Sequence, residues 1–212
     1  MKSDINKNID EFVKAAQMVG RYQLLNCSSG NMSQRLSDGQ VMLSKSGSWL
    51  GELTDEEISI CDIETGDILN DVKPTVENVF HRGILQQRED VNTILHFQSP
   101  YATIIACSCK SYFNFNVIAE VPLYIGNIET VPYLVPGSVE LAEAVIDAAS
   151  ESNLVIMKNH GLVAIGKDYR DVIQKAKFFE LACEIMINSN GQVNYLTDED
   201  IADLDKYILK KS

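Results

Sequence analysis

Short strand-like segments that follow one another through tight turns constrain the fold of this chain most strongly. Apolar and β-branched residues mark such segments near 32–36, 40–45 and 57–62, and the turn signals Ser37-Asp38-Gly39 and Thr65-Gly66-Asp67 separate them. Parallel strands would need a helix between each pair, and this part of the chain has none. The sequence therefore predicts an α/β fold in which helices cover a mostly antiparallel or mixed sheet, and not a doubly wound parallel sheet.

The remaining segments predict further helices and strands. Helices are expected at residues 4–22, 75–88, 100–108, from about 136 to 150, at 169–189 and at 197–209. Strands are expected up to His96 and at 153–158 and 162–166, with short strands and loops across 113–135. Because 212 residues suit one core and no linker-like stretch interrupts them, we expect a single domain spanning 1–212.

Composition narrows the class of partner. The chain has 30 acidic and 18 basic residues, for a formal charge of −12, and it carries no basic cluster. This balance argues against nucleic acid or an anionic membrane surface as the main partner. No apolar run approaches the roughly 18 residues of a membrane span, and the first residues are too polar for a signal peptide, so a cytoplasmic protein is expected. The five cysteines lack CxxC spacing, which disfavours a disulfide framework.

Two of the three histidines stand where a metal site could use them. His96 and His160 each end an apolar run that reads as a strand, and the carboxylate of Glu77 lies 19 residues before the first. Neutral imidazoles and a carboxylate suit zinc or a similar divalent ion. Each histidine alone is also typical of an ordinary buried polar residue, and no compact HExxH motif is present. The third, His81, follows Glu77 by four residues; we favour structural packing for it over metal ligation.

Two stretches of small residues could form an anion site. Gly30-Asn31-Met32-Ser33 and Ser44-Lys45-Ser46-Gly47 offer backbone N–H groups and hydroxyls that could bind a phosphate. The alternative is that both are ordinary turns, since glycine, serine and asparagine are common in turns.

The order of motifs along the chain resembles the class II aldolase/adducin family. The matching motifs run from about residue 8 to 207: Gly-Asn-x-Ser at 30–33, Ser-Gly at 46–47, Lys-Pro-Thr-Val-Glu at 73–77, Arg-Glu-Asp-Val-Asn-Thr-Ile-Leu-His at 88–96, Val-Pro-Tyr with Pro-Gly-Ser at 131–138, and Asn-His-Gly-Leu-Val at 159–163. This resemblance implies a three-layer α/β/α fold and a fourfold-symmetric homotetramer with sites between subunits. It also implies a bound Zn²⁺ and a small phosphorylated sugar as substrate.

The resemblance also assigns roles to residues. His96 and His160 match metal ligands, and Glu77 matches the acid/base carboxylate that can also touch the metal. The matched phosphate-binding positions are Gly30, Asn31, Ser46, Gly47 and Thr75. A mobile C-terminal tyrosine of the family corresponds loosely to Tyr207, which we count as a catalytic candidate.

Three departures from the family pattern bear on chemistry. Gln98 stands where the family has the second histidine of His-x-His, so we expect an amide oxygen as ligand and weaker zinc binding, or Mn²⁺ or Co²⁺ instead. Val76 replaces a serine that contacts phosphate, and the family's catalytic tyrosine aligns near Glu120, with Tyr124 close by.

The implied reaction is the reversible aldol cleavage of a ketose 1-phosphate. The resemblance favours L-fuculose 1-phosphate, which would give dihydroxyacetone phosphate and L-lactaldehyde, with Glu77 moving a proton at the carbon that becomes dihydroxyacetone phosphate. The family also contains sugar-phosphate 4-epimerases, dehydratases and the non-catalytic adducin branch. These alternatives remain open, and Gln98 and Val76 favour the last of them.

Overall fold

The structure, a computed structural model, describes residues 2–109 and 114–209. These residues form six α-helices and seven strands. The helices, numbered in chain order, are α1 Lys2–Arg21, α2 Asn78–Gln87, α3 Pro100–Cys107, α4 Val139–Ala148, α5 Tyr169–Asn188 and α6 Asp198–Leu209. The strands are β1 Asn31–Arg35, β2 Gln40–Ser44, β3 Ile58–Asp62, β4 Thr93–Phe97, β5 Ile128–Val131, β6 Leu154–Met157 and β7 Gly161–Gly166. Most predicted elements are found within two or three residues of these bounds.

The strands form one sheet in the order β3-β2-β1-β4-β7-β6-β5. Every neighbouring pair is antiparallel except β5 with β6, which are parallel and joined through α4. The prediction of a mostly antiparallel sheet in an α/β fold is confirmed. The central pair, β4 and β7, carries His96 opposite Val163 and Phe97 opposite Leu162.

Helices cover both faces of the sheet, because successive side chains of each strand point to opposite faces. On β4, Leu95 and Phe97 pack into a core formed with α1, α3 and α5, whereas Ile94 packs into a second core with α2 and α4. Full burial of such a side chain stabilises the fold by roughly 1.5–3 kcal/mol. The result is three layers, with the sheet in the middle.

The segment before α2 differs from the prediction in a way that matters for the site. The predicted helix began at 75 with Thr75 as a possible cap, but α2 begins at Asn78 and Glu77 is the capping residue. The chain stays extended before it because Pro74 forms a bridge with Lys45, and Thr75 N–H donates to the Ser44 carbonyl at 3.0 Å. Glu77 is therefore fixed against the end of β2.

The region predicted as short strands and loops contains one helical turn. Val121–Ile125 forms a single π-helical turn, and β5 follows it. Residue 113 of that prediction lies outside the described residues. Across the part of the chain that the structure describes, no helix is both long enough and apolar enough to cross a membrane.

A buried carboxylate fixes the helix that follows β4. Glu180 of α5 accepts hydrogen bonds from Ser99 Oγ at 2.6 Å and from the backbone N–H groups of Tyr101 and Ala102 at 3.0 and 2.8 Å. It thus satisfies N–H groups at the start of α3, which have no acceptor within the helix. The other end of α3 holds the β6–β7 turn, since Asn159 N–H donates to the Ala106 carbonyl at 3.0 Å. Glu180 therefore stabilises the elements on either side of the site.

Glu180→Ala is expected to destabilise the protein, because three donors, two of them buried, lose their acceptor. We expect the free energy of unfolding to fall by about 3 kcal/mol and the melting temperature to fall by roughly 6–12 °C. Calorimetry of the variant beside Glu89→Ala, which removes an exposed carboxylate, measures the difference. Equal melting temperatures for the two variants would contradict this assignment.

Candidate active site

Glu77 is a buried carboxylate at the start of α2. Its side chain is held at one oxygen, because Asn31 Nδ2 donates to Oε2 at 2.8 Å. The other oxygen, Oε1, is buried and has no hydrogen-bond partner among the described residues. An ionised carboxylate buried in this way needs a further positive or hydrogen-bonding partner.

His96 presents one ring nitrogen to Glu77. On the other side of the ring, Nδ1 lies 2.9 Å from the Leu162 carbonyl of the neighbouring strand β7. A carbonyl only accepts, so Nδ1 carries a proton, and in a neutral ring Nε2 then has the lone pair. Nε2 lies 3.7 Å from Glu77 Oε2. The backbone of β7 thus sets both the tautomer and the direction of this imidazole, as is usual for histidines that bind metals.

His160 completes the group from the turn between β6 and β7. Its Nε2 lies 3.5 Å from Glu77 Oε1, and its ring centroid lies 4.9 Å from that of His96. Asn159 before it adopts a positive φ of 55°, which turns the chain sharply between the two strands. Burial lowers the pKa of His160 to about 4, with a smaller contribution from His96 and an opposing one from Glu77. The ring is therefore neutral at pH 7 and can donate its lone pair.

These three side chains fit a divalent cation. One ligand atom from each of Glu77, His96 and His160 can be chosen so that all lie within 4.8 Å of one another. Ligand atoms around a tetrahedral zinc, at bonds of about 2.0–2.1 Å, stand on the order of 3.4 Å apart, which is close to the 3.5 and 3.7 Å found here. Together with the unpartnered Glu77 Oε1, the donor set matches an open zinc-type site with three protein ligands.

Gln98 lies beside His96, two residues further along the chain. Its Cγ and the His96 Cε1 atom each lie 2.8 Å from the point where a Cβ on Gly161 would stand. Only glycine at 161 leaves room for both side chains. The backbone of Gln98 is fixed by Leu24 and Asn26, at 3.1 and 2.9 Å. Its ligation of a metal remains a prediction.

The residues predicted to bind phosphate lie in segments that meet near Glu77. Ser46 N–H donates to the Lys73 carbonyl at 3.2 Å, which joins the loop after β2 to the segment of Thr75. Thr75 Oγ1 accepts from Glu77 N–H at 3.3 Å. Gly47 and Gly30 have positive φ values of 77° and 91°. Phosphate binding by these positions stays a prediction.

The side chains of Asn31 and His81 hydrogen-bond to each other. Both ends of the Asn31 amide are occupied, since Nδ2 donates to Glu77 and Oδ1 lies 2.6 Å from His81 Nε2. The other nitrogen of His81, Nδ1, lies 2.7 Å from Ser33 Oγ. His81 therefore faces hydrogen-bond partners and not the metal-type group, as the preference for packing predicted. The sequence analysis includes Ser33 only in a candidate phosphate-binding stretch and does not predict its contact with His81, although Ser33 follows Asn31 by two residues and so shares its side of β1.

The tyrosine candidates lie on other elements. Tyr207 is on α6, and 58% of its side chain is exposed. Tyr124 lies in the π-helical turn and stacks on Phe178 with ring centroids 5.3 Å apart. A catalytic role for Tyr207 stays a prediction.

Comparison with known proteins gives this geometry a family. Residues 10–187 match the family model described as the class II aldolase and adducin N-terminal domain. The chain is 32% identical over 181 residues to a 3-oxo-tetronate 4-phosphate decarboxylase of Haemophilus influenzae, covering 84% of this chain and 86% of the relative. It is 33% identical over 187 residues to an L-fuculose phosphate aldolase of Methanococcus maripaludis, covering 87% and 99%.

Solved structures agree on the fold. YgbL of Klebsiella pneumoniae superposes with a TM-score of 0.87 at 25% identity, covering 94% of this chain and 98% of that one. An L-fuculose 1-phosphate aldolase superposes with a TM-score of 0.85 at 21% identity, covering 95% of both chains. The predictions of the fold and of a carbon–carbon lyase of this family are thereby confirmed. The chain belongs to the class II aldolase and adducin family.

Proposed function

We propose that this protein is a metal-dependent lyase that breaks a carbon–carbon bond next to the carbonyl of a phosphorylated sugar. The first candidate substrate is L-fuculose 1-phosphate, which would give dihydroxyacetone phosphate and L-lactaldehyde. The observation that carries the proposal is the buried carboxylate of Glu77, whose unpartnered Oε1 lies 3.5 Å from a neutral imidazole. The identity of 33% to an L-fuculose phosphate aldolase supports the choice of substrate.

Four side chains would hold the cation: Glu77, His96, His160 and, through its amide oxygen, Gln98. A divalent cation there supplies Lewis acidity, which polarises the substrate carbonyl and stabilises the negative charge that develops on its oxygen. Zn²⁺ fits the two imidazoles, while the harder oxygen donor of Gln98 favours Mn²⁺ or Co²⁺ relative to a three-histidine site.

Glu77 would serve as the acid and base of the reaction. Cleavage removes the hydroxyl proton from the carbon that becomes the aldehyde and leaves the electron pair of the broken bond on the carbon next to the carbonyl, as the enediolate of dihydroxyacetone phosphate. One proton is thus released and one is taken up in each turnover. Glu77 Oε1 is the oxygen free to deliver a proton to that carbon, because Oε2 is held by Asn31. In the reverse direction the same atom would remove the proton.

Decarboxylation of a 3-oxo-tetronate 4-phosphate is a second candidate. The identity of 32% to such a decarboxylase favours it. Loss of CO₂ from the 3-oxo acid leaves its electron pair on C2, which gives the same enediolate as the aldol cleavage. Protonation of C2 then yields dihydroxyacetone phosphate. Glu77 would therefore have the same task in both reactions.

The substrate phosphate would bind beside Glu77. Gly30 and Gly47 would provide backbone N–H groups, and Ser46 and Thr75 would provide hydroxyls, since the N–H groups of Ser46 and Thr75 already donate to Lys73 and Ser44. Asn31 lies next to them.

Two segments with exposed apolar side chains lie near these residues, since Gly137 packs against Val76. Their exposed members are Val76, Val79, Tyr133, Val135 and Val139. They support an interface between subunits beside the site, and we propose on the family resemblance that the assembly is a homotetramer that functions in the cytoplasm.

The purified protein is expected to contain one divalent cation per chain and to release dihydroxyacetone phosphate. Metal analysis measures the first, and coupled assays with L-fuculose 1-phosphate and with 3-oxo-tetronate 4-phosphate measure the second. Removal of the metal by a chelator should abolish turnover, and added Zn²⁺, Mn²⁺ or Co²⁺ should restore it. A protein that stays metal-free and inactive with every added cation would support a non-catalytic scaffold. Formation of an epimer or loss of water from the substrate would show an epimerase or a dehydratase instead of a lyase.

Glu77→Gln is expected to lose most turnover while keeping the metal. The imidazoles and Gln98 can still hold the cation, but the side chain can no longer transfer a proton, so kcat should fall at least about 100-fold. Metal content and kcat of the variant are compared with those of Glu89→Gln, which changes an exposed carboxylate. Turnover within twofold of the wild type would remove Glu77 from the acid/base role.

Gln98→His is expected to tighten zinc binding by about tenfold or more, because imidazole is a better ligand for Zn²⁺ than a neutral amide oxygen. Competition with a chromophoric chelator gives the dissociation constants. Gln98→Leu keeps a side chain of similar bulk without a donor, and we expect it to bind zinc more weakly than the wild type. Equal affinities for the wild type and Gln98→Leu would show that Gln98 is not a ligand.

A further inference from the structure

A continuous line of buried hydrogen bonds runs from Ser33 to Glu77. Ser33 Oγ lies 2.7 Å from His81 Nδ1, and His81 Nε2 lies 2.6 Å from Asn31 Oδ1. The line ends where Asn31 Nδ2 donates to Glu77 Oε2 at 2.8 Å. All four residues are buried, and Ser33 and His81 are completely inaccessible to solvent.

The direction of each proton follows from the carboxylate at one end. An ionised carboxylate only accepts, so Asn31 must turn its NH₂ group toward Glu77 and its oxygen toward His81. That oxygen also only accepts, so His81 Nε2 carries a proton. In a neutral ring Nδ1 is then an acceptor, and it takes the Ser33 hydroxyl proton. Burial lowers the pKa of His81 to about 3, with a smaller contribution from His96, so the ring is neutral at pH 7.

The fold places these residues in two matched pairs. Asn31 and Ser33 are two apart on β1 and point to the same face of the sheet. Glu77 and His81 are four apart at the start of α2, and so lie on the same side of that helix. The strand and the helix therefore meet along one line of polar side chains. No other donor holds Glu77 Oε2 among the described residues.

We propose that His81 is a positioning residue that fixes the Asn31 amide, so that Glu77 keeps Oε2 bound and directs Oε1 at the cation and the substrate. Without the proton on His81 Nε2, the Asn31 oxygen would be buried without a donor, and the amide would be held by Glu77 alone. Rotation of the Asn31 side chain toward another donor would then release Glu77 Oε2 and leave the carboxylate without a fixed direction. The proposal rests on the proposed function for the task of Glu77, but the predicted orientation of the carboxylate does not depend on which reaction is catalysed.

Three substitutions of His81 separate this role from packing. His81→Gln keeps an N–H donor near the position of Nε2, whereas His81→Asn is too short to reach Asn31 and His81→Leu has no donor. We expect His81→Asn and His81→Leu to lower Co²⁺ affinity or kcat by about 10- to 100-fold. We expect KM to stay within twofold and His81→Gln to stay near the wild type. Co²⁺ is the probe because its visible absorption spectrum reports ligand geometry independently of turnover.

Ser99→Ala is the matched control for stability. Like Ser33, Ser99 has a fully buried hydroxyl with a side-chain partner, but that partner is Glu180 on α5. The Ser99→Ala variant should have a lower melting temperature and an unchanged Co²⁺ spectrum and kcat. If His81→Asn and His81→Leu behave in the same way, or if His81→Gln fails as they do, the positioning role is wrong.

Crystal structures of His81→Gln and His81→Asn keep the test independent of the proposed function. We expect the Asn31 amide on Glu77 Oε2 to be retained in the first and lost in the second. Retention in both overturns the proposal. A wild-type protein that binds no cation and cleaves no sugar phosphate would refute the proposed function, and the two structures would still decide the role of His81.

Discussion

The antiparallel pairing of β4 with β7 is the interaction on which the rest of the site depends. It places His96 opposite Val163 at the centre of the sheet, with the Leu162 carbonyl against the His96 ring. The same strand β7 begins at Gly161, directly after His160, so both imidazoles are set by one register. A shift of one residue would turn His96 to the opposite face of the sheet. The apolar neighbours of His96 on β4 prevent that shift, because Leu95 and Ile94 are buried in different cores.

Much of this arrangement could be predicted from the sequence because local patterns fix local structure. The apolar runs before His96 and His160 are long enough to mark strands, and Gly161 marks the turn. The turn signal Ser37-Asp38-Gly39 between β1 and β2 likewise predicts an antiparallel pair. The resemblance to a family then supplied what periodicity does not contain, namely that His96, His160 and Glu77 meet in space. The 4.8 Å grouping of their ligand atoms agrees with that expectation.

What the sequence could not supply depends on contacts between distant segments. The start of α2 moved from 75 to 78 because Pro74 and Thr75 pair with the end of β2, and no local signal in 73–77 encodes that partner. The hydrogen-bonded line from Ser33 to Glu77 depends on how β1 lies against α2, and the pairing of the whole sheet determines that position. A spacing of two on a strand and four on a helix is common to many surfaces. Only the burial of all four residues marks this one as a network.

The two candidate reactions differ in their leaving group, and the group formed by Glu77, His96 and His160 does not distinguish between them. Aldol cleavage releases an aldehyde, and in the direction of synthesis its oxygen must gain a proton as the bond forms, so an acid is needed on that side of the substrate. Decarboxylation releases CO₂, which needs no such acid. In the proposed mechanism, the step that both reactions share needs Glu77 and the cation that it would hold together with the two imidazoles. The acid predicted at Tyr207, which lies exposed on α6, would therefore be needed only for the aldol reaction.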